Sequence, residues 1–301
     1  IGGLDVGSVQ LKLNDDGFYT LMIGCSDMGT GCDTILAQMA ADGLGCDIDN
    51  IIVRGVDTDQ SPYDSGSYAS STTYVTGGAV VKACESMRKR ICEEAAAIMG
   101  LNPGEVDFDG ETISENDNPE HSMALSDLIT TLEAGKGRII EVTESHTSPV
   151  SPPPFMAGAA EIEVDLETGK ITPINYVATV DCGTVINTNL ARIQTEGGIV
   201  QGMGMTLYED VQYTDEGKMK NRNFMSYKIP TRLDMGNIKV EFESSYEQTG
   251  PYGAKSIGEI VINTPAPAIA DAVYNATGLR FRTLPITAEQ VMMGLLEKEE
   301  I

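Results

Sequence analysis

The run Gly253-Ala254-Lys255-Ser256-Ile257-Gly258-Glu259 passes directly into Ile260-Val261-Ile262-Asn263-Thr264-Pro265-Ala266-Pro267, with apolar periodicity following from Ala268 to Ala276. Gly250, Gly253 and Gly258 crowd this one short segment. Each permits backbone conformations closed to a residue with a Cβ, so the main chain there can approach a ligand closely. The periodic residues behind the loop predict a helix. Glu259 therefore stands at a loop-to-helix junction, held by backbone rather than carried on a mobile surface. A carboxylate held that way is a candidate general base, which must lie within hydrogen-bond reach of the proton it takes. The plainer alternative is a surface glutamate near a helix start, where the helix dipole favours negative charge. Lys255 lies four residues before Glu259, so an ion pair between them is a further option. It would lower the glutamate's pKa, whereas burial would raise it.

Outward from this segment, the 301 residues carry 45 acidic and 20 basic side chains, a formal charge of −25. Phosphate recognition needs clustered Lys and Arg, so a nucleic-acid partner is not expected, and neither is an anionic membrane surface. An anionic substrate would need a local Arg or Lys to offset the overall field. Hydrophobic residues at 41% and charged residues at 22% are the proportions of a soluble globular protein. No apolar run approaches the roughly 20 residues that span a bilayer. No basic, then apolar, then small-residue leader is visible, and a cytoplasmic location is the default expectation. The six cysteines (Cys25, Cys32, Cys46, Cys84, Cys92 and Cys182) form no Cys-x-x-Cys pair. Neither zinc nor ferredoxin spacing is met, so reduced, mostly buried thiols are expected, with no iron–sulfur cluster or zinc on this chain. His121 and His146 lie in polar or Pro-rich surroundings.

Alternation over residues 9–23 around Asp15-Asp16-Gly17 predicts a hairpin. Helices are expected at 34–44, 78–99, 122–135 and 188–208, and strands at 50–57, 159–164, 171–180 and 238–246. The Ser-, Thr- and Tyr-rich stretch 61–76 reads as a loop, and Thr147-Ser148-Pro149-Val150-Ser151-Pro152-Pro153-Pro154 as a linker. The expected organisation is α+β: a first half at 1–146, a Pro-rich linker at 147–157, and a second half at 158–301 that carries Glu259.

Three other segments carry candidate chemistry. Gly29-Thr30-Gly31 precedes a predicted helix, so its N–H groups and the helix dipole suit an anion. It lacks the lysine of a P-loop and the third glycine of a Rossmann motif, and a plain helix start is the alternative. Ser70, Ser71, Thr72 and Thr73 line up four hydroxyls beside Ala69, suited to an oxyanion or simply to a polar loop. Gln201 lies between Gly198 and Gly202, where its amide is placed either to pair with a ligand edge or to cap a buried turn.

Taken in order, four stretches resemble those of the molybdenum hydroxylases, the xanthine dehydrogenase and aldehyde oxidoreductase family. Gly24 to Thr34 is similar to the family's Gly-Gln-Gly pterin loop, and Tyr68 to Val80 to its Ala-Ser turn beside the metal. Val180 to Asn187 with Glu196 to Gly204 resembles its second pterin-contacting loop, and Gly253 to Glu259 its active-site glutamate motif. The resemblance runs from about residue 11 to 295. It departs at Thr30, where the family has a glutamine with both donor and acceptor capacity.

The resemblance implies two α/β subdomains of the second molybdopterin-binding domain. It implies Glu259 as catalytic base and Gly29, Thr30, Gly31, Ala69, Ser70, Ser71, Thr72, Thr73, Gln201, Lys255, Ser256, Ile257 and Gly258 as cofactor contacts, with no metal ligand from this chain. The implied cofactor is molybdenum on molybdopterin in its cytosine dinucleotide form, with a sulfido or selenido ligand. Iron–sulfur clusters and FAD would lie on partner subunits. The implied reaction hydroxylates an electron-poor carbon of a small heteroaromatic substrate with oxygen from water. The family's first molybdenum domain, with its Gly-Gly-Gly-Phe-Gly-Gly-type loop, has no counterpart here. A site split between a large and a medium molybdopterin subunit, as in the nicotinate dehydrogenases of anaerobic bacteria, accounts for that and favours nicotinate as substrate. Alternatives are a purine- or aldehyde-oxidising homologue, a piece of a longer chain, and a non-catalytic scaffold of the same fold.

Overall fold

The computed structural model describes residues 3–299. They form two compact units, one of residues 3–153 with Tyr246–Ser256, the other of Pro154–Ser245 with the residues from Ile257 on.

In the first unit, β1 (Val6–Leu13) and β2 (Tyr19–Ile23) form the expected antiparallel hairpin. Val9, Leu11 and Leu13 on β1, and Tyr19, Leu21 and Ile23 on β2, all face inward, the period of two that puts alternate side chains on one face of a strand. Strand β3 (Ile51–Arg54) adds parallel to β2, and a C-terminal strand, Ile140–Thr147, pairs antiparallel with β1. Helices α1 (Cys32–Leu44) and α2 (Gly77–Met99) supply Leu36, Met39, Leu44, Met87 and Ile91 to the buried side. Each such side chain contributes about 1.5–3 kcal/mol by leaving water.

A second, three-stranded sheet in this unit is built from β4 (Val106–Phe108), β5 (Thr112–Glu115) and β6 (Asn118–Ala124), and leads into α3 (Leu125–Lys136). The helix expected from residue 122 thus starts three residues later. Ser122, Met123 and Ala124 are paired with Ser114, Ile113 and Thr112, and ladder bonding overrides their helical periodicity. The strand Ile140–Thr147 is therefore β7 in chain order.

In the second unit, β8 (Phe155–Val164) and β9 (Ile171–Asp181) form an antiparallel hairpin, and β10 (Asn237–Phe242) runs parallel to β9. Helices α4 (Thr188–Leu207), α5 (Pro265–Thr277) and α6 (Ala288–Glu299) complete it. Tyr176, Ala178, Ile199, Met203, Ile269, Val273 and Val291 form its core. Both units mix helices with mainly antiparallel sheets, an α+β architecture.

The Pro-rich stretch lies between β7 and β8, and the compact units divide at Pro153/Pro154. The expected second half is interrupted: Tyr246–Ser256 belongs to the first unit, tied there by contacts from α1 and the start of α2. Among the described residues no helix is long and apolar enough to cross a membrane. All six cysteines are free thiols, four of them buried.

Candidate active site

Gly29-Thr30-Gly31 leads into α1 as expected, but its amides are already engaged. Asp27 Oδ1 accepts from Gly29 N at 2.8 Å and Gly31 N at 3.2 Å, while Oδ2 accepts from Asp33 N at 3.3 Å. Gly31, the residue at the helix cap, makes no side-chain capping bond, so Asp27 does that work from outside the helix. Burial works against the charge on Asp27, yet the N–H groups of Gly29, Asp33, Gly31 and Thr30 together hold its pKa below the usual carboxylate range. The anion this loop was expected to bind is thus in part its own aspartate. Thr30 itself is exposed.

Asp27, Cys32 and Asp33 place ligand atoms within 4.8 Å of one another. The contact with Cys25 and burial push the Cys32 thiol strongly up. Burial and then the charge of Asp27 raise Asp33. Within this cluster Asp27 caps the loop through the Gly29, Gly31 and Asp33 amides.

The Ala-Ser turn is strained where the resemblance marks it. Ala69 (φ 46°) and Ser70 (φ 58°) are consecutive non-glycine residues in the left-handed region. Such residues cost about 1–2 kcal/mol each and persist only where their surroundings hold them. Here Tyr68 donates its hydroxyl to the buried carboxylate of Asp5. Ser71 N–H donates to Tyr68 O at 2.9 Å, Ser71 Oγ to Gly66 O at 3.2 Å and Thr72 Oγ1 to Ser67 Oγ at 3.0 Å. Ser67 Oγ also donates to Ser26 O at 3.2 Å, joining this turn to the Asp27 loop. Residues Thr72–Thr76 then form a single π-helical turn before α2, a feature frequent at functional sites. Ser71 is buried, while Ser70, Thr72 and Thr73 are half-buried.

The strap Tyr246–Ser256 is fastened to the same region. Tyr74 Oη and Thr249 Oγ1 are 2.5 Å apart, and Tyr252 Oη donates to Met39 O at 2.9 Å. Lys255 and Ser256, at its end, are half-buried. The first unit therefore gathers Gly29, Thr30, Gly31, Ala69, Ser70, Ser71, Thr72, Thr73, Lys255 and Ser256.

The second unit holds Ile257, Gly258, Glu259 and Gln201. Glu259 is exposed and heads a short 3-10 turn, Ile260–Ile262, its carbonyl accepting from Ile262 N–H at 3.3 Å. Helix α5 begins only at Pro265, so the macrodipole of α5, effective within its first turn, does not account for a carboxylate at 259. What fixes the turn is α4. Val261 is buried, and a Cβ on Gly198 would overlap its side chain. One helical turn on, a Cβ on Gly202 would lie 2.7 Å from Pro265 Cγ and 3.0 Å from the Ile262 carbonyl oxygen. Tyr176 Oη reaches from β9 to Thr264 Oγ1 at 2.8 Å, closing the other side. Gln201 is exposed beside this glycine face and lies in mid-helix, within the helix expected at 188–208. The sequence signal overlooked was Asp27-Met28-Gly29: an aspartate two residues before a glycine bonds the backbone ahead of it.

A family profile described as a molybdopterin cofactor-binding domain matches residues 2–236. The chain is 33% identical over 300 residues to a probable hypoxanthine oxidase of Escherichia coli, covering 98% of this chain and 31% of that protein. It is 30% identical over 295 residues to a putative xanthine dehydrogenase molybdenum-binding subunit of Escherichia coli, covering 96% and 39%. Among solved structures, quinoline 2-oxidoreductase from Pseudomonas putida 86 superposes with a TM-score of 0.88 at 25% identity, over 97% of this chain and 38% of that one. The chain thus spans about a third of the length of these relatives. By profile, identity and fold together, it belongs to the molybdopterin cofactor-binding family of the molybdenum hydroxylases.

Proposed function

We propose that this chain supplies the general base, Glu259, and part of the cofactor-holding surface of a molybdenum hydroxylase acting on an electron-poor carbon of a nitrogen heterocycle. The observation that carries the proposal is the clamped turn: Glu259 heads a backbone segment locked by Gly198, Gly202 and Tyr176. A base held this way loses little entropy when it takes its proton.

The residues present fit a pterin better at its hydrogen-bonding edge than at a phosphate. The hydroxyl of Ser70 stands on the left-handed Ala69–Ser70 pair, and those of Thr72 and Thr73 on the π-helical turn that follows. The amides of Gly29 and Gly31 are committed to Asp27, whose negative charge disfavours an anion at that loop. We therefore assign the pterin edge to Ala69, Ser70, Ser71, Thr72 and Thr73, with Gln201, Lys255, Ser256, Ile257 and Gly258 as further contacts. Thr30 offers an exposed hydroxyl, in a loop whose glycine amides donate to Asp27 rather than to a ligand. Molybdenum on the pterin, in the cytosine dinucleotide form with a sulfido or selenido ligand, supplies two-electron oxidation whose electrons leave through iron–sulfur and FAD subunits. Glu259 contributes the removal of a proton, for which its carboxylate must reach within about 3 Å.

Three relatives carry names with nitrogen heterocycles in them: a hypoxanthine oxidase, a nicotine 6-hydroxylase and quinoline 2-oxidoreductase. This supports a heteroaromatic substrate for this chain, and nicotinate is the member we favour. A purine is the second reading, from the 33% and 30% identities to the hypoxanthine and xanthine proteins. A cytoplasmic location, with a large molybdopterin subunit as a further partner, completes the proposal.

The test is Glu259→Gln in the full-length, cofactor-loaded protein, assayed against nicotinate, hypoxanthine and an aldehyde with a dye acceptor. The amide is isosteric but cannot take the proton, so turnover is expected to fall about 10²–10⁴-fold with molybdenum content unchanged. Turnover within a few-fold of wild type sinks the assignment of the base.

A further inference from the structure

Two residues of the second unit are poor local choices for the places they hold. Gly158 stands in the interior of β8, paired with Ala178 of β9, where glycine weakens a strand and offers no side chain to pack. Thr264 stands at the N-cap of α5, where a hydroxyl ordinarily accepts from the N–H of the second or third helical residue, yet it makes no capping bond. The third of those residues is Pro267, which has no N–H to give. Departures of this kind from local propensity collect at functional or strained sites.

A single contact accounts for both. Tyr176 on β9 is fully buried and lies opposite Ala160 of β8. Ala160 and Gly158 share one face of that strand, and the ring crosses it diagonally from the first to the second. There Tyr176 Oη donates to Thr264 Oγ1 at 2.8 Å. A Cβ on Gly158 would overlap the Tyr176 hydroxyl and lie 2.8 Å from Thr264 Oγ1, so glycine at 158 is what admits the bond. Burial raises the Tyr176 hydroxyl above its usual pKa of 10.0, which keeps it a neutral donor.

Thr264 is coupled tightly to Glu259. In the short stretch between them, Ile262 N–H donates to Glu259 O at 3.3 Å and Asn263 N–H to Ile260 O at 3.1 Å. Contact with Gly198 and Gly202 of α4 limits how near this turn can come to the helix. Packing alone is non-directional, whereas a hydrogen bond fixes the turn along one line. On the reading of Glu259 as base, we infer that Tyr176 is a positioning residue: its hydroxyl, seated over Gly158, holds Thr264 and thereby sets where the Glu259 carboxylate stands.

The experiment places Tyr176→Phe, Thr264→Val, their combination and Thr264→Ser in the full-length, cofactor-loaded protein, beside Glu259→Gln. Turnover of nicotinate, hypoxanthine and an aldehyde with a dye acceptor gives kcat and KM, and amide hydrogen exchange follows the backbone of residues 260–263. Phenylalanine keeps the ring and its packing, so kcat should fall about ten-fold with KM unchanged, short of the roughly hundred-fold loss of a full ~1 Å displacement. Thr264→Val should lose as much, and the combination no more than either alone, because both delete the same bond. Thr264→Ser keeps the acceptor and should recover most of the loss. Exchange at 260–263 should quicken several-fold wherever the bond is gone. Wild-type kcat in both Tyr176→Phe and Thr264→Val, with Glu259→Gln inactive, overturns the positioning role and leaves the base in place. Additive losses in the combination, or unchanged exchange, overturn it as well. Turnover by Glu259→Gln near wild type removes the base, and the positioning role with it.

Discussion

Replacing Gly202 by alanine separates the positioning of Glu259 from the stability of the fold. The added Cβ meets Pro265 Cγ at 2.7 Å and the Ile262 carbonyl oxygen at 3.0 Å. Carbon–carbon contacts settle near 3.5–4.0 Å, so the turn that follows Glu259 must move outward by roughly 1 Å or α4 must tilt. Overpacking of this kind costs about 1–3 kcal/mol. Alanine in a helix interior regains about 1 kcal/mol over glycine, leaving a net loss of about 0–2 kcal/mol. Turnover should suffer more, because a displacement of about 1 Å at a catalytic group costs about a hundred-fold. The control is Gly135→Ala in α3, where the new methyl has no neighbour within 4 Å. Thermal melts and turnover on the full-length, cofactor-loaded protein read out both quantities. A Gly202→Ala protein with wild-type turnover would show that the clamp on the 260–265 turn does not position Glu259. So would a loss of rate fully explained by unfolding.

Two further substitutions test the first unit. Asp27→Ala removes the acceptor for Gly29, Gly31 and Asp33 amides, and should cost about 1 kcal/mol, seen as a fall of a few degrees in melting temperature. Because its folded pKa lies below 3.8, that contribution is present above pH 3.8 and lost as pH falls through the folded value, so the gap between wild type and variant must close in acid. His146 has a buried Nδ1 without a hydrogen-bond partner and a ring packed on Gly78. Burial first, then the charge of Lys82, lowers its pKa below 6.5. The unfolded chain then binds the proton more readily, so stability falls as pH drops from 6.5 toward the folded value. Denaturant titrations across that range should show a shallower pH dependence for His146→Gln, and an unchanged slope would remove His146 as the cause.

The motifs were legible because they depend on local backbone chemistry. The Gly-bracketed Glu259, the hydroxyl run beside Ala69 and the hairpin at Asp15-Asp16-Gly17 each announce themselves within a few residues. What was hidden depends on distance along the chain. The strap Tyr246–Ser256 joins the first unit through Tyr74–Thr249 and Tyr252–Met39, bonds spanning 175 and 213 residues that no window of sequence can show. The start of α3 was misjudged because Ser122–Ala124 obey their partners on β5 rather than their own periodicity. Gln201 lies within the helix expected at 188–208, among glycines. Those at 198 and 202 serve helix packing against Val261 and Pro265, not chain flexibility. The Gly29–Gly31 amides read as open to a ligand in sequence, whereas the fold turns the carboxylate of Asp27 back onto them.

The central claim, that this chain provides the proton-accepting carboxylate of a molybdenum site, is tested most directly by an experimental structure of the full-length protein with its cofactor bound. The account predicts the Glu259 carboxylate within about 3 Å of a molybdenum ligand, or one water away, with Ser70 or Thr73 in hydrogen-bond reach of the pterin. A structure with Glu259 beyond that reach, and another acid in its place beside the metal, would contradict it.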